Sequence, residues 1–353
     1  MSVEDIAGRR GGHPRMNPQT RATLEDVARL AGVSAKTVSR VFNQRDLVNP
    51  ETVARVLDSA RRLRFRPNTL ARGLRSGGRT NVVGLIVGEL GNPFYYKVAA
   101  GLEKELAANG YSLLLASTDD TAEGEERVAD ALLAQRVAAL VLIPAAPDQS
   151  HLDGERQLGT PIVAIDRPGR NVVADSVVLD NRAGVHEATR HLLAAGHRRI
   201  AYLCNPASVH SQAERLAGYR AAMAEAGIAD TSAWEVLEDR RGVSGEELCA
   251  HLLDAAEPPT AILCGNNRMT VGTLRALRDR GDDSTALIGF DDFDTADILG
   301  VTVISYDPEE LGRTAGRVAL QRIADPSGFT QQIVLPTHLI ERGTGERSPK
   351  GRP

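Results

Sequence analysis

The residues from 34 to 43 bring hydroxyl, amine, guanidinium and amide groups onto one face of a predicted helix. The outward positions of that helix carry Ala35, Lys36, Thr37, Ser39, Arg40 and Asn43. Lysine and arginine can bond to base edges in the major groove of DNA, and short polar side chains can bond to its phosphates. The spacing favours Lys36 and Arg40, with Ala35 beside them, as base-reading residues, and the short polar side chains as phosphate contacts.

Two short amphipathic helices must position this face. Thr23 is a suitable N-cap for the first helix, and Asp26 approximates a capping box with it. Gly32 stands where the first helix must end, a position that often requires a positive φ. Ser34 then caps the second helix. The pattern predicts an all-α helix-turn-helix DNA-binding domain over residues 21–66, with Thr23 and Ser34 among its DNA contacts. The alternative is a small helical bundle with a solvated polar face.

A short basic segment follows at residues 67–80. Pro67 and Asn68 can open a helix that two glycines close, but only about two turns fit, and so short a helix is unstable alone in water. Leu74 would be an exposed apolar wedge, and such side chains can enter the minor groove and kink the duplex. We predict a hinge helix that folds on DNA, with contacts from Asn68, Ala71 and Leu74. The alternative is a flexible basic tether with Leu74 packed on its own domain.

Four motifs in this region carry a resemblance to a known family. They read Thr-Leu-Glu-Asp-Val-Ala, Ala-Gly-Val-Ser, Thr-Val-Ser-Arg-Val-Phe-Asn and Arg-Pro-Asn-Thr-Leu-Ala-Arg-Gly-Leu. In their order and spacing the chain resembles the LacI/GalR family of transcriptional regulators, from about Thr23 to about Arg342. The resemblance implies a homodimer whose paired hinge helices enter the minor groove at the centre of a palindromic operator, each with Leu74 as its wedge.

Charge is distributed unevenly along the chain. Residues 1–80 hold 16 Lys and Arg against 7 Asp and Glu, a balance of +9, so the other residues carry −13 of a total that is only −4. A basic head on an acidic body fits nucleic-acid binding that is confined to the head.

Cysteine usage and hydropathy indicate the compartment. Cys204, Cys249 and Cys264 show neither metal-ligand spacing nor a disulfide framework, which favours a reducing cytosol. No segment is long and apolar enough to span a membrane, and residues 1–20 lack a hydrophobic signal core. We therefore expect a cytoplasmic protein with a disordered N-terminal extension, in which Met16 is an alternative start.

From residue 81 onward short apolar runs alternate with amphipathic helices, a pattern typical of parallel sheets. A second such series begins at Asp180, so we expect a two-lobed α/β domain of two doubly wound sheets, like a periplasmic binding protein. Small ligands bind at the carboxyl ends of the strands in such folds, here in the cleft between the lobes. The resemblance adds three crossings between lobes. It divides residues 81–342 into a first lobe of about 81–178 plus 306–326 and a second lobe of about 179–305 plus 327–342. The polar composition of residues 343–353 predicts a disordered tail.

Polar residues cluster just after the predicted strands of both series. A carboxylate, a guanidinium and an amide with nearby aromatic rings suit a polyol, because they offer acceptors and donors for adjacent hydroxyls and ring faces for C–H groups. The resemblance implies effector contacts from Asp166, Arg215, Asn266 and Asp291, with Phe94 and Tyr95 on the cleft wall. For each polar residue the alternative is a helix cap or a salt bridge between lobes, as we interpret Asp292 and Asn181. Asn267 replaces the family's usual Asp, which leaves the ligand class open.

These features predict a sequence-specific regulator, a repressor, whose operator affinity is controlled by a small molecule, for which we expect a sugar. The alternatives for the effector are a nucleobase or nucleoside, or a phosphoprotein corepressor on the first lobe. A transporter's solute-binding protein would need a signal sequence and no basic head. An enzyme would need a nucleophile–base pair or a cofactor loop, and none stands out, so we expect no catalytic residue, cofactor or metal.

The same reasoning addresses assembly. The first-lobe helix carries an apolar stripe formed by Tyr96, Val98, Ala99, Leu102 and Leu106. We expect this stripe to pair across a two-fold axis. The chain shows no leucine heptad that would join two dimers, so the prediction is a dimer and not a tetramer.

Overall fold

The computed structural model describes residues 21–66, 80–237 and 244–349. They belong to two compact units, Met1–Gly78 and Arg79–Pro353. The predictions made for Asn68, Ala71 and Leu74, and for residues 1–20 and 350–353, lie outside the described residues.

The described part of the first unit, residues 21–66, contains three α-helices whose starts are fixed by capping residues. They are α1 (Leu24–Ala31), α2 (Ala35–Asn43) and α3 (Pro50–Arg62), with a 3-10 turn at Arg45–Leu47. The Thr23 hydroxyl accepts from the Asp26 N–H at 3.2 Å, and the Asp26 carboxylate accepts from the Thr23 N–H at 2.9 Å, so the predicted capping box is confirmed. Gly32 ends α1 with a φ of 65°, and Ser34 caps α2, as predicted.

Valines form the centre of this small unit. Val27, Val38 and Val56 are buried, and the rings of Phe42 and Phe65 lie 5.7 Å apart at the edge of the same cluster. Five valines are buried in the described part of this unit, so its hydrophobic core is small. Each helix cap, at about 1 kcal/mol, is therefore a sizeable part of the unit's stability.

The second unit is built on two six-stranded sheets. The first sheet contains β1 (Val82–Val87), β2 (Ser112–Ser117), β3 (Ala139–Leu142), β4 (Ile162–Asp166), β5 (Asp175–Leu179) and β11 (Gln332–Leu335). Its order is β11-β5-β4-β3-β1-β2, and every described pairing in it is parallel. Its helices are α4 (Pro93–Ala108), α5 (Ala122–Leu133), α6 (Asp153–Gln157) and α11 (Pro308–Ala324), with a 3-10 turn at Ser150–Leu152.

The second sheet repeats this design. It contains β6 (Ile200–Cys204), β7 (Glu235–Leu237), β8 (Ala261–Cys264), β9 (Ala286–Phe290), β10 (Thr302–Ser305) and β12 (His338–Ile340), in the order β12-β10-β9-β8-β6-β7. Only the pairing of β12 with β10 is antiparallel among those described in this sheet. Its helices are α7 (Asn181–Ala194), α8 (His210–Glu225), α9 (Gly245–Leu253) and α10 (Asn267–Asp279), with a 3-10 turn at Ser232–Trp234. The predicted fold class is confirmed.

The third crossing between lobes lies later in the chain than expected. The strand β11 pairs with β5, with Ile333 opposite Val177, so it belongs to the first lobe. The assignment of residues 327–342 to the second lobe is therefore wrong for residues 327–335. Pro336 lacks an N–H and cannot continue the ladder, so the chain leaves the first sheet there and enters the second at His338.

The expected dimerisation stripe is also largely wrong. Val98, Leu102 and Leu106 are completely buried within the first lobe, where α4 packs against α11. An added Cβ at Gly312 of α11 would collide with the Val98 carbonyl oxygen, which shows how closely the two helices approach. These side chains face their own core and cannot meet a second subunit. Only Tyr96 of the stripe is well exposed.

Residues 343–349 are ordered against the second lobe, so the expectation of a disordered tail is wrong for them. The Thr344 hydroxyl donates to the Leu287 carbonyl at 2.8 Å and accepts from the Thr302 N–H at 2.9 Å. The Leu287 N–H in turn donates to the Thr344 carbonyl at 3.0 Å. These bonds, two from the Thr344 hydroxyl and one from its carbonyl, fix the segment against the edge of β9 and β10, which a polar composition does not reveal.

The tail also covers a histidine, from which a pH dependence follows. His197 is completely buried; its Nδ1 lies 2.8 Å from the Thr260 hydroxyl oxygen and its Nε2 lies 2.7 Å from the Arg347 carbonyl oxygen. Burial lowers the pKa of His197 in the folded chain below its ordinary value of 6.5. The unfolded chain therefore takes up the proton first, and stability falls as the pH drops through about 6.5.

We expect the urea midpoint of unfolding to decrease between pH 7.5 and pH 5.5 by more in the wild type than in His197→Gln, which cannot titrate. Equal decreases in the two proteins would assign the acid sensitivity to other groups.

Candidate DNA-reading face and effector cleft

The outward face of α2 presents the residues that the sequence assigned to DNA. Ala35, Lys36 and Arg40 are exposed, and neither of the two cations forms an ion pair within the described part of the chain. The hydroxyl oxygens of Ser34 and Thr37 lie 2.9 Å apart at the start of the helix. The Lys36 ammonium, the Arg40 guanidinium and the N–H groups at the start of α2 can therefore approach a phosphate or a base edge together.

The short polar side chains of this face are partly paired with one another. The Asn43 amide donates to the Ser39 hydroxyl at 3.1 Å, one helical turn apart. Thr23 is engaged in the capping box of α1. These groups keep their bonds to the helix and offer their remaining donors to phosphates, which fits a positioning role more than a reading role.

In the second unit, each of the two sheets has one aspartate at the carboxyl end of a strand. Asp166 ends β4 with a φ of 68°, and Asp291 follows β9 with a φ of 71°. Both lie in the left-handed region, which non-glycine residues occupy at some cost and which concentrates at functional sites. The strand ends of the two lobes face one cleft, so each lobe turns a carboxylate toward it. Asp166 is 7% exposed, and the Ser211 hydroxyl of the other lobe approaches it at 3.4 Å.

Arg215 lies on α8 at the floor of this cleft. Its Nε donates to the Asn181 side-chain oxygen at 2.6 Å, and its Nη1 donates to the Gly265 carbonyl at 2.5 Å. The guanidinium carbon lies 3.5 Å from the centre of the Phe290 ring, a cation–π contact. These contacts use two of its five N–H donors and leave the others for a ligand. Asn181 thus holds the arginine within the second lobe. Asp180, and not Asn181, caps α7, so the expected helix cap or inter-lobe salt bridge is wrong for Asn181.

Asp291 is half-buried behind this arginine. Its carboxylate accepts from the Tyr306 hydroxyl at 2.7 Å and from the Asn267 N–H at 3.3 Å. Burial raises the pKa of Asp291, while the charge of Arg215 and the hydrogen bond from Tyr306 oppose the rise. Burial and the neighbouring carboxylate raise the pKa of Tyr306 well above 10, so its phenol stays protonated and donates. Sequence analysis did not find Tyr306, because its role depends on where the second crossing places it.

Asn266 serves as the N-cap of α10. Its side-chain oxygen accepts from the Met269 N–H at 2.9 Å, and its amide nitrogen donates to the Asn205 side-chain oxygen. The residue therefore fulfils the alternative interpretation of a helix cap, at a cleft-facing strand end. Any contact with an effector would use a lone pair or an N–H that these bonds leave over.

The aromatic wall is made by residues of both lobes. The Phe94 ring lies 6.2 Å from that of Tyr306, which lies 6.1 Å from that of Phe290. Tyr95 packs against Phe94 at 5.3 Å, but its hydroxyl points to Asp120 at 3.5 Å within the first lobe. The structure therefore brings Phe94 to the cleft centre and leaves Tyr95 behind it.

Polar contacts connect the lobes around this centre. The Asn267 amide donates to the Asn92 side-chain oxygen at 3.0 Å, Lys97 pairs with Asp294 at 2.8 Å, and Arg268 pairs with Glu89. Asp292 does not join them, because it pairs with Arg342 at 2.7 Å inside the second lobe; its role is structural, but the expected helix cap or inter-lobe salt bridge is wrong. A ligand in the cleft would therefore act on an inter-lobe arrangement that a few exposed or half-buried bonds hold.

An α-helical DNA-reading unit followed in the chain by a two-lobed α/β unit with a polar cleft defines a class of effector-controlled transcriptional regulators. The family described as "Bacterial regulatory proteins, lacI family" matches residues 23–68. The family described as "Periplasmic binding proteins and sugar binding domain of LacI family" matches residues 80–342. The chain belongs to the LacI family of DNA-binding regulators.

Its relatives extend over nearly the whole chain. The ribose operon repressor of Escherichia coli (strain K12) is 33% identical over 329 residues, which cover 92% of this chain and 99% of the relative. The Lac repressor dimer bound to operator and the anti-inducer ONPF has a TM-score of 0.81 at 28% identity, covering 92% of this chain and 99% of that one. A CelR–cellobiose complex has a TM-score of 0.68 at 31% identity, covering 92% and 100%. Across the described ranges of the chain, no helix is both long and apolar enough to cross a membrane.

Proposed function

We propose that this regulator is a repressor whose affinity for a palindromic operator is controlled by a sugar bound between the two lobes. The observation that carries the proposal is a pair of aspartates, Asp166 and Asp291, whose backbones are in the left-handed region. Their carboxylates face one cleft from opposite lobes, beside Arg215. Carboxylates accept from adjacent hydroxyls, a guanidinium donates to them, and aromatic rings cover the C–H face of a sugar ring. Relatives that are repressors of a ribose operon support this ligand class.

The site residues follow from the same argument. On the DNA side we assign base reading to Lys36 and Arg40, and phosphate contacts to the short polar residues of the same face. In the cleft we assign effector contact to Asp166, Arg215 and Asp291, ring stacking to Phe94, and a supporting role to Asn266 and Tyr95.

The domain borders and the assembly are part of the proposal. The DNA-binding domain would comprise residues 21–66 and the hinge 67–80, with Leu74 as the minor-groove wedge. The first lobe would comprise 81–179 and 306–335, and the second lobe 180–305 and 338–349. A homodimer would match a palindromic operator, because a two-fold assembly contacts two equivalent half-sites.

A binding experiment with an operator selected from random DNA by the protein itself tests this function. Operator affinity is measured with and without D-ribose, other neutral pentoses and hexoses, cellobiose, adenosine, guanine and a sugar phosphate. We expect one neutral sugar to raise the melting temperature of the protein and to change its operator affinity by about 5- to 150-fold. A response to the nucleoside or nucleobase alone, or to none of these compounds, would contradict the sugar assignment.

A further inference from the structure

Two buried amide oxygens at the cleft side of the second lobe have no hydrogen-bond partner among the described residues. They are Gln212 Oε1 and Asn267 Oδ1. Their residues are 6% and 7% exposed, respectively. Folded proteins bond nearly all of their buried polar groups, so an unpaired acceptor needs an explanation. Two such acceptors on this side of the lobe point to a group that is supplied from outside the chain.

Gln212 lies directly beside the arginine of the cleft. It stands one helical turn before Arg215 on α8, so the two side chains share a face. A Cβ added to Gly265 would lie 2.9 Å from Gln212 Oε1 and 3.0 Å from the Tyr202 hydroxyl. The Gly265 carbonyl is the same group that accepts from Arg215 Nη1. The absence of a side chain at Gly265 therefore leaves room for the acceptor at the arginine's edge.

We propose that Gln212 is a further effector-specificity residue, whose carboxamide oxygen accepts a hydrogen bond from a hydroxyl of the effector next to the group that Arg215 binds. The inference rests on the proposed function and deepens it. Hydrogen-bond acceptors predominate at the floor of the cleft. The amide oxygens of Gln212 and Asn267 are neutral acceptors there, in addition to the two aspartate carboxylates. Such a site selects a neutral ligand with several hydroxyl donors and discriminates against a phosphorylated sugar.

Another buried glutamine shows what a structural role requires. Gln149 is 1% exposed; its amide nitrogen donates to the Glu125 carboxylate at 3.1 Å and to the Ala146 carbonyl at 2.7 Å. Its oxygen accepts from the Arg170 N–H at 2.8 Å. Gln149 is thus bonded at both ends of its amide, whereas the oxygen of Gln212 has no partner. The chain offers it as a matched control.

The experiment compares full-length Gln212→Leu and Gln149→Leu with the wild type. Thermal unfolding is recorded without ligand, and the affinity for D-ribose and the other neutral sugars is measured by calorimetry. Removing an unpaired acceptor relieves an unsatisfied group, so Gln212→Leu should keep or raise the melting temperature. It should weaken sugar binding by about 5- to 100-fold, because a ligand hydroxyl loses its partner. Gln149→Leu should lower the melting temperature by about 2–4 °C or more and leave sugar affinity unchanged.

Deoxy analogues of the bound sugar locate the hydroxyl. One analogue should bind the wild type as weakly as the parent sugar binds Gln212→Leu, and the variant should lose nothing further with it. If the wild type binds a sugar and Gln212→Leu binds it equally well, the specificity role is wrong while the proposed function stands. A loss of ligand-free stability in Gln212→Leu that equals the loss in Gln149→Leu would make Gln212 structural and would also overturn the inference. A wild type that binds none of the neutral sugars overturns the proposed function itself.

Discussion

Asp291→Asn is expected to abolish the response of operator affinity to sugar while ligand-free DNA binding stays close to that of the wild type. A coupling of about 1–3 kcal/mol corresponds to a 5- to 150-fold change in affinity, and the variant should reduce this factor to about one. The carboxylate carries a negative charge that interacts with the Arg215 guanidinium, and it faces a cleft to which the first lobe contributes Asp166. Without it a ligand can no longer bond strongly to both lobes at once.

Asparagine is the appropriate replacement because of the backbone at this position. With a φ of 71°, alanine would be strained, whereas asparagine tolerates the left-handed region. An asparagine oxygen can still accept from Tyr306, whose hydroxyl is 2.7 Å from the carboxylate. The fold should therefore survive. Arg215→Ala should also remove the response, but it leaves Asn181 and the Gly265 carbonyl without their donor and should destabilise the lobe as well.

The neighbouring Asp292→Asn is the matched control. It removes the same charge one residue away, but its carboxylate pairs with Arg342 inside the second lobe. The control should keep the full sugar response. Operator titrations with and without sugar, on all three proteins, measure the coupling directly. A full response in Asp291→Asn would place the regulatory site elsewhere.

The described polar bonds between the lobes are individually weak, which favours such a coupling. The Asn267–Asn92 hydrogen bond is neutral, and the Lys97–Asp294 pair lies at the exposed rim. Exposed ion pairs contribute only about 0–1 kcal/mol each, so a ligand that bonds to both lobes can outweigh them. We therefore expect the inter-lobe angle to be the element that an effector shifts.

Local signals in the sequence sufficed for the small domain and for the alternation of strands and helices. Thr23, Gly32 and Ser34 act on neighbours within a few residues, so their roles could be predicted and are confirmed. The partner of β11, the burial of the α4 stripe and the order of the tail all depend on contacts between segments far apart in the chain. The residue pattern of a short strand such as Gln332–Leu335 fits either sheet. Which sheet it joins depends on which sheet edge is available in the folded chain, here that of β5.

The same distinction holds for the site. Asp166 and Asp291 could be proposed from the sequence because they lie at the end of a strand or directly after one, where ligands bind in doubly wound sheets. Tyr306 and Gln212 could not, since neither follows a recognisable motif. Their significance comes from a hydroxyl 2.7 Å from the half-buried Asp291 carboxylate and from an unpaired oxygen beside Gly265. Such features exist only once the lobes have folded.

Arg40→Ala is expected to lower affinity for the selected operator by about 1–3 kcal/mol and to relax the preference at one base pair in each half-site. The guanidinium lies on the exposed face of α2 and forms no ion pair with an acidic side chain among the described residues. No such ion pair therefore competes with a contact to DNA. A bidentate bond to a guanine edge is the contact this geometry favours. Truncation removes a base contact, so affinity for scrambled DNA should change much less than affinity for the operator.

A charge-matched control separates base reading from general attraction. Arg61→Ala removes the same charge from α3, where the arginine pairs with Asp58 at 3.7 Å and is 79% exposed. It should weaken binding to the operator and to scrambled DNA by the same small factor. Binding isotherms for both variants on both DNAs, at two salt concentrations, give the specificity ratio and the salt slope. If Arg40→Ala leaves the ratio of operator to scrambled affinity unchanged, the arginine contacts phosphate, and sequence reading falls to Lys36 and the remainder of the α2 face.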